Sequence, residues 1–275
     1  KIMGNTREEL IDRAKTLSVM PTFRAVIERL FAVLDDRNSS FHDVYAVIKY
    51  EQALTAKLIS IANSAYYSRG VEIFSLQRAM TAIGLEEVKN IVVCIFFVEN
   101  MLKELKLPGA IFLQFWKHSL HVACAARLLA ERTITEDAQK VFTVALLHDI
   151  GKIIFYLANE KYDELVMNTQ RGEESLNSVE RALFGTDHGE LGYVLSVKWR
   201  FPQEFSEVIR AHHGGEVLGK YAQLLNLVKV ADRFSTASVY DPDPETLILL
   251  NEKEGITEEM EKIMNFLRLD GHGTR

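Results

Sequence analysis

The sequence predicts an all-α protein, and three observations support that prediction. Apolar residues recur at helical spacing along most of the chain, and strand-type alternation is scarce. Only five prolines interrupt the 275 residues. Polar, glycine or proline-containing turns separate the periodic segments, as expected between helices. A clear example of the helical spacing is the stripe Phe23, Val26, Ile27, Leu30, Phe31 and Leu34.

The first half is predicted to form an N-terminal helical bundle. Helical spacing covers residues 7–34 with a break at Pro21, and Ser39 or Ser40 can cap the next helix. Its further helices are predicted at 44–48, 54–62, 75–84 with closure at Gly84, and 85–102. Because Pro108-Gly109 breaks the helical pattern, we place a boundary there. The predicted divisions are 1–107, 108–240 and 241–275.

The second half is predicted to be a second helical bundle. Asp187 is an N-cap, and Pro202 suits the first position of the helix that ends at His212-His213. The turn Asp241–Pro244 precedes one or two terminal helices. In order, the predicted helices are 111–132, 137–148 with a segment to 158, 161–170, 173–184, 187–199, 202–213, 219–237 and 244–267.

Composition excludes several classes of protein. The net charge of −6 and pI of about 5.8 argue against nonspecific nucleic-acid binding, which needs a basic surface. The longest wholly apolar stretch, Ile91–Val98, is too short to span a bilayer, and we see no signal-peptide pattern. Cys94 and Cys124 lie in apolar helical patterns and are predicted to be buried thiols in a reducing compartment. We therefore expect a cytoplasmic protein.

The segment Ala145-Leu-Leu-His-Asp-Ile-Gly-Lys152 contains the most informative motif. An adjacent imidazole and carboxylate can bind one metal ion or bridge two, and burying them unpaired would be costly. Mixed imidazole and carboxylate ligands without thiolate favour Fe or Mn, with Co, Ni or Zn as alternatives. The candidate ligands are His118, His148, Asp149, His188, His212, His213 and Asp232.

Several segments in both halves of the chain match one known family. They are Leu17–Pro21, Leu58–Tyr67, Ser75–Leu85, Phe115–His118, Leu146–Lys152, Asp187–Gly192, Trp199–Pro202 and Ala211–His213. Over roughly residues 15–237 the chain therefore resembles the HDOD family, the HD-related output domain of bacterial signalling proteins. One departure is Tyr50-Glu-Gln-Ala-Leu54, where Gln52 replaces a helix-starting proline. The order of histidines and aspartates is also that of the HD metal-dependent phosphohydrolase superfamily.

The resemblance implies an HD-like helical bundle behind the N-terminal helical half. By analogy with binuclear HD enzymes, one metal would be held by His118, His148, Asp149 and Asp232. The second would be held by Asp149, His188, His212 and His213. Two metals about 3.5–4 Å apart can activate a water for in-line attack on phosphorus. Lys152 could then neutralise a phosphate oxygen, or it could be a lysine solvated at a helix end.

Three functional hypotheses follow. The first is a signalling or regulatory module with one or two divalent metals, which acts through protein partners or a phosphorylated small-molecule ligand. The second is a metal-dependent phosphohydrolase acting on a nucleotide or other phosphoester, with Asp149 and Lys152 at the reaction site. The third is a scaffold in which the histidines form a vestigial polar network. Cyclic-dinucleotide cleavage is disfavoured, because no Gly-Tyr-Pro motif follows His213 and Gln114 stands where some such enzymes have a glutamate.

Three other groups of residues have interpretations without a ligand role. His121 is expected neither to bind a metal nor to support a metal-binding residue. The aromatic residues around Phe112 and Trp116 are expected in the core. Asn63-Ser64 could contact a ligand or partner, but we favour a packed loop between helices.

Overall fold

The computed structural model describes residues 5–17, 29, 32–33, 39–68, 70–105, 109–133, 136–169, 175–236 and 243–267. Within these ranges every regular element is a helix, which confirms the all-α prediction. The predicted break at Pro21 and most of the stripe 23–34 lie outside the described residues.

The helices follow the predicted order. They are α1 (Arg7–Thr16), α2 (Phe41–Ile48), α3 (Gln52–Ala62), α4 (Leu76–Ile83), α5 (Leu85–Leu105), α6 (Gly109–Thr133), α7 (Ala138–Leu147), α8 (Lys152–Ala158), α9 (Tyr162–Thr169), α10 (Leu176–Phe184), α11 (His188–Lys198), α12 (Gln203–Ala211), α13 (Ala222–Thr236), α14 (Pro244–Asn251) and α15 (Lys253–Phe266).

Two predicted helix starts need correction. Pro202 is the N-cap of α12 rather than its first helical residue, because its ψ of 139° is extended. The segment predicted to begin a helix at Gly219 first forms a 3-10 turn, Gly219–Tyr221, and the α-helix starts at Ala222.

The chain divides into two compact units. One contains Lys1–Val19 and Leu105–Met260, and the other contains Met20–Glu104 and Glu261–Arg275. The observed division at Leu105 lies close to the predicted boundary at 108. In contrast to the predicted limits, α1 and most of the C-terminal helices group with the second half.

In the unit made of 20–104 and 261–275, polar side chains define the helix ends. Ser40 caps α2 in a reciprocal arrangement with Asp43, so Ser40 rather than Ser39 is the cap. Glu51, the residue before α3, provides no side-chain cap for that helix. Gly84 ends α4 with a φ of +94°, a conformation that favours glycine.

Asn63 in this unit is a packing residue. Its Nδ2 donates to the carbonyl of Ile73 at 2.6 Å, and its Oδ1 accepts from the backbone N–H of Ile73 at 2.8 Å. The two bonds fasten the loop after α3 to the segment before α4. The favoured interpretation of a packed loop therefore holds for Asn63.

In the other unit, α7 and α8 form the centre of the core. Residues Val141–Leu147 are all buried. The segment Ala138–Ala158 is apolar and long enough to cross a membrane by composition alone, with a mean hydropathy of 1.6. However, 78% of the 18-residue apolar stretch within this segment is buried inside the protein, and the turn at residues 148–151 interrupts the helix. Packing in the core accounts for its composition.

Close backbone contact brings α8 and α11 together. A Cβ atom on Gly151 would lie 1.9 Å from the carbonyl oxygen of His188 and 2.5 Å from the backbone nitrogen of Gly192. A Cβ atom on Gly192 would in turn lie 2.6 Å from the Cγ2 atom of Ile209 in α12. These contacts place the turn after α7 directly against the start of α11.

Candidate metal centre

Seven imidazole and carboxylate side chains meet inside the unit that contains α6 to α13. They come from α6, the turn between α7 and α8, the first residue of α11, the turn after α12, and α13. The structure brings together every ligand that the sequence predicted: His118, His148, Asp149, His188, His212, His213 and Asp232.

Asp149 lies at the middle of this cluster and is fully buried. Its Oδ2 atom is 3.2 Å from Nε2 of His118 and 3.4 Å from Nε2 of His148. Its Oδ1 atom is 3.2 Å from Nε2 of His188 and 3.5 Å from Nε2 of His212. Each carboxylate oxygen therefore faces a different pair of imidazoles, as expected for a carboxylate that can bridge two cations.

Asp232 and His213 complete the cluster. Oδ1 of Asp232 lies 3.3 Å from Nε2 of His118 and 3.7 Å from Nε2 of His148. Its Oδ2 atom lies 3.8 Å from Nδ1 of His213, which is the most exposed of the seven side chains at 29%. Ligand atoms within 4.8 Å of one another form two groups, one of Asp149, His188, His212 and His213, the other of His118, His148 and Asp232.

Hydrogen bonds to the backbone orient two of the imidazoles. Nδ1 of His148 lies 2.7 Å from the carbonyl oxygen of Ala145, and Nδ1 of His212 lies 2.7 Å from that of Ile209. Because a carbonyl can only accept, each Nδ1 carries the hydrogen and donates it. The Nε2 atoms are therefore the nitrogens available to a metal.

Four buried polar atoms at the centre form no hydrogen bond of good geometry among the described residues, although two of them, Nε2 of His188 and Oδ1 of Asp149, lie 3.2 Å apart. They are Nε2 of His148, His188 and His212 and Oδ1 of Asp149. Leaving such an atom unpaired costs about 1–3 kcal/mol, and one or two divalent cations would satisfy all four. The donor atoms present therefore fit a metal site with nitrogen and oxygen ligands.

Lys152 is a cation that the structure places at this centre. Its Nζ atom is 2.5 Å from Oδ2 of Asp149, and the side chain is only 13% exposed. Burial acts against the charge, but the carboxylate of Asp149 outweighs it and raises the pKa of Lys152. The alternative of a lysine solvated at a helix end does not describe this side chain.

The charges at the centre stabilise one another. Burial alone would lower the pKa values of His118 and His188, but neighbouring carboxylates outweigh burial and raise both pKa values to about 9. Burial would raise the pKa values of Asp149 and Asp232, but neighbouring cationic side chains hold both far below the usual range. At neutral pH the metal-free centre therefore contains protonated imidazoles between ionised carboxylates.

These pKa shifts predict that the metal-free protein is most stable near pH 6.5. The protonated rings of His118 and His188 stabilise the fold fully below pH 6.5, and this contribution disappears as the pH rises through about 9. Burial lowers the pKa values of His212 and His213, so below pH 6.5 the unfolded chain gains protons that the folded protein does not.

Melting temperatures measured in chelator across this pH range test the prediction. Bound Mn²⁺ should remove the decline on the alkaline side, because a metal-ligating imidazole is already neutral. A melting temperature of the metal-free protein that stays constant from pH 6.5 to 9 would contradict the assignment of these charges.

Glu180 is a buried residue of this region that no motif in the sequence identifies. It lies on α10, is 0% exposed, and its Oε2 atom is 2.6 Å from Nδ1 of His188. A single glutamate in an amphipathic helix belongs to no ligand motif. One feature of the sequence does indicate that Glu180 is buried. It lies four residues from both Leu176 and Phe184, on the face that the helix buries.

Three further residues near the centre lie outside the two ligand groups. The His121 ring stacks on Phe234 at 6.0 Å and lies outside the two ligand groups. Asp187 caps α11, as predicted, by accepting from the backbone N–H of Glu190. Glu190, in the first turn of α11, pairs with Arg7 and accepts from the hydroxyl of Thr186.

A cavity of about 420 Å³ opens onto the centre. Lys152 and Arg233 contribute cationic groups to its wall, and Tyr156 contributes an aromatic ring. The cluster is therefore accessible to a small ligand from this side. The lining also includes Gln114, Phe115, His118, Asp149, Val166, Thr169, Ser175, Leu176, His213, Asp232 and Thr236.

Comparison with known proteins identifies relatives of this chain. The family model described as HDOD domain matches residues 20–214. An uncharacterised protein from Treponema pallidum (strain Nichols) is 20% identical over 248 residues, which cover 87% of this chain and 47% of that protein. The chain thus spans about half the length of that curated relative.

Three solved structures share the fold. An HDOD domain protein of unknown function from Geobacter sulfurreducens has a TM-score of 0.72 and 23% identity, covering 94% of this chain and 98% of that chain. A candidate phosphohydrolase from Shewanella amazonensis SB2B has a TM-score of 0.68 and 20% identity, covering 94% and 97%. A candidate signal transduction protein from Marinobacter aquaeolei VT8 has a TM-score of 0.71 and 17% identity, covering 98% and 67%. At these identities the similarity establishes the fold alone.

Proposed function

Because the chain belongs to the HDOD family, we propose that it is a bacterial signalling or regulatory module that holds one or two divalent metal ions. The main support is Asp149, whose two oxygens each face a separate pair of imidazoles. Fe or Mn suits these ligands best, with Co, Ni or Zn as alternatives. The name of the Marinobacter relative supports a signalling role, exercised through protein partners or a phosphorylated ligand.

Metal content per chain tests the metal part of this proposal. We expect close to two Fe or Mn per chain by elemental mass spectrometry, on protein purified anaerobically without chelators or an affinity-metal step. His42→Ala is a suitable control, because His42 lies exposed on α2. Folded protein without metal would contradict the proposal and favour a scaffold with a buried polar network.

A deletion strain tests the regulatory part. We expect a signalling response to change on deletion and to return with the wild-type gene but not with a variant that binds no metal. An unchanged response in the deletion strain would argue against a regulatory role.

The cavity favours a second candidate function, a metal-dependent phosphohydrolase. Divalent metals at such a centre activate water and stabilise the charge of a phosphoryl group. Lys152 and Arg233 line the same cavity, so an anionic ligand there would meet two cationic side chains. The name of the Shewanella relative supports this function. A metal-loaded protein that hydrolyses nothing in a broad nucleotide and phosphoester panel would exclude it.

A further inference from the structure

Glu180 is a carboxylate buried where a lone charge would be costly. Its Oε2 atom accepts two hydrogen bonds from His188, one from the backbone N–H at 2.9 Å and one from Nδ1 at 2.6 Å. The first bond fixes the start of α11, and the second fixes the plane of the imidazole ring.

Tyr162 holds the other side of this carboxylate. Its hydroxyl donates to Oε1 of Glu180, and the tyrosine is itself fully buried. The Tyr162 ring stacks on Phe155 at 4.9 Å and meets the edge of Tyr156 at 4.8 Å. Because both carboxylate oxygens accept hydrogen bonds and the tyrosine ring is packed against two aromatic rings, these contacts favour the observed orientation of Glu180.

From this chain of contacts we infer that Glu180, supported by Tyr162, is a positioning residue that makes His188 a strong ligand for one of the two metal positions. The inference rests on the proposed metal binding. It states that Glu180 strengthens binding at the metal position shared by Asp149, His188 and His212. Glu180 reaches Nδ1 of His188 while Nε2 points at Oδ1 of Asp149, 3.2 Å away.

The chemistry of the Nδ1 hydrogen-bond partner distinguishes His188 from His118, His148 and His212. His148 and His212 donate from Nδ1 to neutral backbone carbonyls, and Nδ1 of His118 lies 3.2 Å from the hydroxyl of Ser235. A carboxylate partner makes an imidazole more basic than a neutral partner does, and loss of such a partner typically lowers metal affinity about 10–100-fold. Glu180 should therefore affect one metal position more than the other.

Calorimetric titration of the full chain with Mn²⁺ tests this assignment. Glu180→Gln preserves size and keeps one acceptor oxygen for His188, but it removes the charge and turns the other oxygen into an amide donor that the Tyr162 hydroxyl can accept from. It should weaken one binding event about 10–100-fold while leaving the other within about twofold. Tyr162→Phe should shift the same event in the same direction. Glu190→Gln is the matched control, because Glu190 is two residues from His188 in the sequence but bonds to Arg7 and Thr186. This variant should change neither binding event.

A second measurement on metal-free protein separates this inference from the proposed function. The Nδ1 proton of His188 should resonate far downfield in the NMR spectrum of the wild type and the control, and it should move upfield in Glu180→Gln. Two unchanged binding events in Glu180→Gln overturn the inference. If the wild type binds no Mn²⁺, the proposed function fails, and an Nδ1 proton of His188 that does not respond to Glu180→Gln then overturns the inference independently.

Discussion

Replacement of Asp149 by alanine is expected to abolish metal uptake at both positions. Oδ2 faces His118 and His148, while Oδ1 faces His188 and His212, so one side chain serves both groups. Asp232, by comparison, directs Oδ1 toward His118 and His148, and its Oδ2 atom lies near one member of the other group, Nδ1 of His213 at 3.8 Å. Asp149→Ala should therefore reduce metal content from about two per chain to about zero, and Asp232→Ala should spare part of it.

The stability of this variant must be measured with its metal content. Removal of Asp149 leaves Lys152 without its buried counter-charge and takes one carboxylate away from His118 and His188, and breaking a buried ion pair typically costs about 3–5 kcal/mol. Asp149→Asn keeps the shape of the side chain and is the better variant if alanine prevents folding. Asp12→Asn, at an exposed position on α1, is the control for loss of an aspartate. A folded Asp149 variant that retains two metals would show that the carboxylate does not bridge them.

The members of the cluster could be predicted because metal-binding chemistry restricts the residue types at each position. Only a few side chains bind metals such as Fe or Mn, so the order of histidines and aspartates identified all seven members of the cluster. Helix ends were predictable where a side chain fixes them, as Asp187 does for α11. Pro202 was misplaced by one residue, since proline restricts φ but leaves ψ free to be extended.

Tertiary packing was not predictable in the same way. The apolar positions Leu10 and Ala14 of α1 show that this helix buries a face, but not which surface it covers. In the structure both pack in one cluster with Phe155 and Leu191, from α8 and α11. Glu180 was missed for the same reason, because its role exists only where α10 meets the first residue of α11.

The replacement of Gly151, the glycine of the His-Asp motif, is expected to have the second large effect, on both stability and metal binding. The reason is again tertiary packing. Gly151 has a φ of −66° and a ψ of −24°, values that any residue can adopt. Its backbone conformation therefore does not require glycine. Its surroundings do, because a Cβ atom would lie 1.9 Å from the carbonyl oxygen of His188 and 2.5 Å from the nitrogen of Gly192.

Gly151→Ala is therefore expected to lower the free energy of unfolding by about 3 kcal/mol, the upper end of the usual cost of overpacking. Both clashing atoms belong to the backbone, so relief requires α8 and α11 to separate, which also moves His188 away from Asp149. Urea denaturation should show the loss of stability, and metal titration should show weakened binding at the position shared by these two residues. Gly219→Ala is the control, because a Cβ atom there meets nothing within 4 Å. An unfolding midpoint equal to that of the control would mean that α8 and α11 can separate at little cost. The close contact at Gly151 would then not determine the position of His188 beside Asp149.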